Sequence, residues 1–363
     1  MSVHRFLSFV FILLIASAIP ITAETCQPEF PFKNGWLGSD AAYSIPLNDG
    51  RSVWIFGDTL YGDKRIVVEN EPRMVRNAIG ISTCKGGKWD IEYVMRKNSS
   101  GQLIDFFQAK SPYWYWALDG FVKGEQLWVT LLCLRSVPNS GSFTLGFATC
   151  GTDLARVTGL EQDPQKWEVK IYPLVSDGVH AYPSATAVVD GDFVYIFALY
   201  EKGSRPMVLS RIPLSGLDKD PKASMQYLAK DGTWRAGFEP AKARHVMDKG
   251  NTEMTVRYHQ GRKQWLAVMN DPQLETGNIL LRTAPKLTGP WSDGQVIYTI
   301  PEMQKSHPSW DKDNFCYAGK EHPELREGNT ILITYACNTR AVKKLETMPH
   351  IYFPKVVRLE LPK

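Results

Sequence analysis

A short apolar run follows a polar turn carrying one glycine five times along the chain. Asp49-Gly50 precedes Val53-Trp54-Ile55-Phe56, Lys123-Gly124 precedes Leu127-Trp128-Val129, and Asp190-Gly191 precedes Phe193-Val194-Tyr195-Ile196-Phe197. Gln260-Gly261 then precedes Trp265-Leu266-Ala267-Val268, and Glu327-Gly328 precedes Thr330-Ile331-Leu332-Ile333. The glycines lie 67 to 74 residues apart. A period of tens of residues marks solenoids, propellers or arrays. Every unit reads as strand hairpins and none as a long helix, so the pattern predicts an all-β protein. The expected fold is a single-domain, five-bladed β-propeller, in which small sheets repeat around a channel.

The inner strand of each blade is expected just before its turn. These segments are 39–45, 116–121, 180–185, 251–256 and 317–323, and each begins with polar, ionisable or aromatic groups. Charged side chains are rarely buried without a partner or a task. They either line a solvated channel or build a site. A tryptophan opens an outer strand in four repeats, at Trp89, Trp167, Trp234 and Trp291. One aromatic residue per blade is expected from packing between sheets. The segment 213–243 reads as a long surface connection.

The first residues change the compartment. A charged start, an apolar run from Phe6 to Ala16 and Ala23 at the exit form a secretory signal peptide, residues 1–23. The propeller domain is then 24–363, about 68 residues per repeat. No later run is long and apolar enough to span a bilayer. The net charge of +4 contains no basic patch, which speaks against nucleic acid. Six cysteines in a secreted chain read as disulfides. Cys133 with Cys150 and Cys316 with Cys337 each span neighbouring strands, which leaves Cys26 with Cys84. Asn98-Ser99-Ser100 is a glycosylation sequon.

The first repeat carries the sharpest chemistry. A three-residue loop, Asn48-Asp49-Gly50, sets Ile45 opposite Val53 and Asp40 opposite Asp58. Directly opposed side chains lie roughly 4.5–5.5 Å apart at Cβ. Two carboxylates at that distance raise one pKa, so that one holds a proton near neutrality while the other stays ionised. Glycoside hydrolysis needs that division of labour, and the shorter separation goes with retention. A two-residue loop would turn the acids to opposite faces. An ion pair with arginine would take one of them out of use.

The run Gly38-Ser39-Asp40-Ala41-Ala42-Tyr43-Ser44-Ile45-Pro46-Leu47, followed by Trp54-Ile55-Phe56-Gly57-Asp58-Thr59, resembles the opening of domain-of-unknown-function family 4185. The run Tyr317-Ala318-Gly319-Lys320-Glu321-His322-Pro323-Glu324-Leu325, with Ile333-Thr334-Tyr335, is similar too. Members of that family include secreted endo-D-arabinanases with a five-bladed propeller. The resemblance implies that Asp40 and Asp58 are the catalytic carboxylates, and by analogy with related furanosidase propellers it brings in Asp119 and Glu253. The six cysteines depart from that pattern.

Further substrate-binding candidates are Asn77, Trp116, His180, Tyr182 and His322. A structural calcium in the channel near His322 is the one cofactor left open, although no Asp-rich calcium loop exists. The expectation is a secreted, monomeric glycoside hydrolase acting on an arabinan-like, furanose-containing glycan. The alternative is a carbohydrate-binding propeller without turnover.

Overall fold

The computed structural model describes residues 26–67, 73–138 and 146–362. The signal peptide expected at 1–23 lies outside them. Among the described residues no helix is long and apolar enough to cross a membrane.

Five antiparallel sheets form the blades, and their innermost strands are Trp36–Pro46, Trp114–Lys123, Ala181–Asp190, Met254–His259 and Asn314–Glu321. Consecutive inner strands adjoin, and the first also adjoins the last, which closes the ring. The strand after each turn glycine is the most apolar. In blade one, residues 53 to 57 are all buried, as expected for a strand covered on both faces by neighbouring blades. The irregular segment 213–243 is more than a connection. Its short strands Gln226–Leu228 and Trp234–Ala236 extend blade three to five strands. Trp89 and Trp234 lie in outer strands and Trp167 just before one, while Trp291 lies outside any strand.

The three disulfides are Cys26–Cys84, Cys133–Cys150 and Cys316–Cys337. The first ties the N-terminal segment to blade one. Blade five locks onto blade one through Arg65, whose guanidinium donates to the carbonyls of Met348 and Ile351 at 2.9 Å each.

Four inner strands are interrupted by register shifts, and that of blade four alone is regular. In blade one two of the three shifts fall around Ala41 and Ala42, with φ of 62° and 61°. A left-handed alanine costs of order 1–3 kcal/mol. Ala318 of blade five has φ of 60°. A bulge of this kind re-aims the side chains beside it, and here it borders Asp40 and Lys320.

Candidate active site

The hairpin turn of blade one forms as its residues predict. Leu47 N–H donates to the Arg51 carbonyl at 2.8 Å, and Gly50 takes φ of 84°. Ile45 then pairs with Val53. After the bulge the same register returns at Ser39 and Thr59. Asp40 and Asp58 therefore lie at the same end of the strand pair, near enough for the Asp58 charge to act on Asp40, and both are half-buried.

Asp40 is held by tyrosines. The Tyr317 hydroxyl donates to its Oδ2 at 2.5 Å, and the Tyr352 hydroxyl lies 3.5 Å from the same oxygen. Oδ1 lies over Gly57, where a Cβ would come within 2.2 Å of it. Burial raises the Asp40 pKa to about 8, aided by the charges of Asp58 and Glu253 and opposed by the Tyr317 hydrogen bond and by Lys320. Asp40 thus carries a proton at neutral pH.

Asp58 receives the Trp116 indole N–H at 3.3 Å and the Arg76 guanidinium at 3.4 Å. The arginine contact was the arrangement expected to disable the pair. It is a single long contact from a guanidinium that is itself partly exposed. Burial outweighs it and holds Asp58 up at about 6, with Arg76 and Trp116 pulling downward and Asp105 upward. Asp58 is therefore largely ionised at neutral pH, with a cation and an N–H donor fixing its orientation.

Glu253 precedes the inner strand of blade four. It faces the buried Lys320 of blade five at 3.7 Å, and its pKa is raised by burial against the pull of that ammonium. Three carboxyl groups and two cations, Arg76 and Lys320, meet here.

Partly exposed aromatics flank the acids on both sides. On the Asp58 side, Trp116 packs edge-on against Phe147 at 4.7 Å, and Arg76 lies 4.8 Å from the Trp114 ring. On the Asp40 side, Phe315 stacks on Tyr317 at 5.4 Å. Alternation exposes these rings at every second position of the inner strands.

Several expected site residues are structural instead. Asn77 is fully buried: its amide donates to the carbonyls of Phe107 and Tyr115 and accepts from Phe107 N–H. Asp119 is fully buried in a two-pronged ion pair with Arg257 at 2.7 and 2.9 Å. It also accepts from Thr186 and from the backbone of Gly120 and Ala187. With no exposed surface, it ties blades two, three and four together. His322 is fully buried with its two ring nitrogens engaged by Ser44 and Thr334 at 2.6 and 2.8 Å. Burial pushes its pKa well below the ordinary value. The neutral ring has no nitrogen left for a sugar or a calcium ion. Among the described residues no three His, Cys, Asp or Glu side chains are grouped to hold a metal. Tyr182 is packed in the core. His180 is exposed on blade three, with φ of 57°, and makes no hydrogen bond to the blade-one acids.

The residues missed from sequence are Tyr317, Tyr352, Arg76 and Lys320. Tyr317 and Lys320 lie on the inner strand of blade five and Arg76 beside Asn77, whereas Tyr352 lies in the segment before the last strand, and only the blade geometry aims them at the acids.

The Asp40 proton also makes stability depend on pH. The folded state holds that proton up to about pH 8, whereas an unfolded aspartate releases it near its ordinary 3.8. Between these values the folded state binds more protons, so stability falls as pH rises. Melting temperatures at pH 5 and pH 8 are expected to drop more for wild type than for Asp40→Asn; equal drops would place the proton elsewhere.

A putative hydrolase from Bacteroides ovatus ATCC 8483 has a similar fold, 18% identical, with a TM-score of 0.63 over 89% of this chain and 86% of that one. A GH43_1 enzyme from Xanthomonas citri complexed with xylotriose is 10% identical, with a TM-score of 0.46 over 89% and 87%. An exo-1,5-alpha-L-arabinanase from a bovine ruminal metagenomic library is 12% identical, with a TM-score of 0.45 over 89% and 93%. At these identities the likeness concerns the fold alone. Among curated proteins none matches the chain. The family expected from the first hairpin was 4185, but the family model that matches is another. It covers residues 29–360 and is described as Domain of unknown function (DUF5005), and the chain belongs to that family.

Proposed function

We propose that this protein is a secreted glycoside hydrolase that cleaves a furanose-containing, arabinan-like polysaccharide with Asp40 and Asp58. The observation that carries the reading is the half-buried pair Asp40 and Asp58, the first held by the Tyr317 hydroxyl and the second by the Trp116 indole and Arg76. Asp40 donates its proton to the glycosidic oxygen as the bond to the anomeric carbon breaks. Asp58, ionised, either attacks the anomeric carbon or takes a proton from the attacking water. Trp116 and Arg76 orient Asp58, and Tyr317 and Tyr352 orient Asp40. Glu253 raises the proton affinity of Asp40. The half-exposed rings of Trp116 and Phe315 offer apolar faces to sugars. The furanose class rests on the resemblance of the first hairpin. The disulfides fit an oxidising compartment.

Activity needs Asp58 ionised and Asp40 protonated. The pH–rate profile is therefore expected to be bell-shaped, rising near pH 6 and falling near pH 8, with both limbs belonging to the coupled set of acids. Release of reducing ends from D-arabinan and related glycans between pH 4 and 10 tests this. A rate that climbs steadily past pH 9 would remove Asp40 as the acid.

The Arg76 contact favours a second reading, a carbohydrate-binding propeller without turnover. Glycan binding by wild type with no reducing ends released at any pH would select it.

A further inference from the structure

Lys320 is a fully buried lysine in the inner strand of blade five, at the centre of the ring. Burying an ammonium is costly unless it is paired and hydrogen-bonded. Its Nζ donates to the carbonyls of Ala41 in blade one and Ala318 in blade five. It lies 4.5 Å from the centre of the Tyr43 ring and 3.7 Å from Glu253. Both carbonyls that accept from this ammonium belong to left-handed alanines. That conformation has no steric benefit of its own, and it aims each carbonyl at the ammonium. Ala41 directly follows Asp40. The same ammonium thus fixes the backbone that carries one acid and neutralises another.

We propose that Lys320 is a positioning residue of the acid cluster: it clamps the Ala41 and Ala318 turns that place Asp40, and it keeps Glu253 ionised so that the shared proton stays on Asp40. The charges facing Lys320 are Asp40 from blade one, Asp119 from blade two and Glu253 from blade four. Arg257 fully engages Asp119, so Glu253 and Asp40 are the acids that respond to the ammonium. Around Asp40 stand Asp58, Glu253, Tyr317, Tyr352 and Lys320. Without the ammonium, Glu253 loses the nearest charge that favours its ionised form and competes with Asp40 for the proton. This rests on reading Asp40 and Asp58 as the working acids, but its test does not need turnover.

The experiment is a carboxyl-carbon NMR titration of the full chain, with Glu253 assigned by loss of its signal in Glu253→Gln. In Lys320→Met the Glu253 midpoint is expected to rise by about 1–3 pH units, the usual effect of an opposite charge within a few ångströms. An unchanged midpoint in a folded Lys320→Met overturns the proposal. Should that variant not fold, Glu253→Gln gives the reciprocal test. The Asp40 midpoint must fall, because the Glu253 charge that raises it is gone, and the Lys320 amine midpoint must fall with it. Constancy of both overturns the proposal. Reducing-end release by wild type is measured alongside. Its absence would defeat the hydrolase reading while leaving the titrations to decide the role of Lys320.

Discussion

Asp40→Asn is expected to lower polysaccharide cleavage by about 10²–10⁴-fold, the range a positioned acid or base contributes. The substitution keeps the shape and the Tyr317 contact while removing the proton. The loss should depend on the leaving group. An aryl furanoside whose phenolate departs unaided needs no acid, so its cleavage should fall far less than that of arabinan. Asp58→Asn should depress both substrates together, because the attack itself is lost. Steady-state rates of both variants on both substrates separate the roles. Equal losses for Asp40→Asn on the two substrates would mean that Asp40 is not the donor.

Gly57→Ala is expected to cost about 10²-fold in kcat, of the size that follows a misplacement of about 1 Å. Gly57 lies under Asp40, and its new Cβ would come 2.2 Å from Oδ1 and 3.4 Å from Cγ. Gly57 is not among the left-handed glycines, so alanine suits its backbone and the damage is confined to the carboxyl above it. That carboxyl must swing away and lose Tyr317. A double-mutant cycle exposes the cause. Gly57→Ala should lower the melting temperature in wild type and have little effect in an Asp40→Ala background. Equal destabilisation in both backgrounds would show that the glycine serves something else.

The blades and the register of the first hairpin were legible because both rest on local chemistry. A glycine-closed turn sets the hairpin register, which holds from Pro46 to Tyr43 and returns at Ser39 beyond the bulge. Cysteine pairing followed from the same strand order. The bulge at Ala41 and Ala42 was not legible, since alanine carries no signal for a left-handed backbone and the reason for it, Lys320, lies about 280 residues away. Asn77, Asp119 and His322 were misread for a related cause. A polar residue in or beside a blade strand looks the same in sequence whether it faces solvent or ties the fold together, and only the partners Phe107, Arg257 and Ser44 distinguish the two. Glu253 was reached by analogy alone, and its geometry beside Lys320 gives it a physical role. Arg76, next to Asn77 in sequence, turned out to be the residue of that pair that meets an acid.

The most direct measurement is reducing-end release from D-arabinan by wild type and Asp58→Asn, at equal protein concentration near pH 7. Release by wild type that falls to background in Asp58→Asn is the result expected if Asp40 and Asp58 do the chemistry. Release that persists undiminished in the variant would contradict that account.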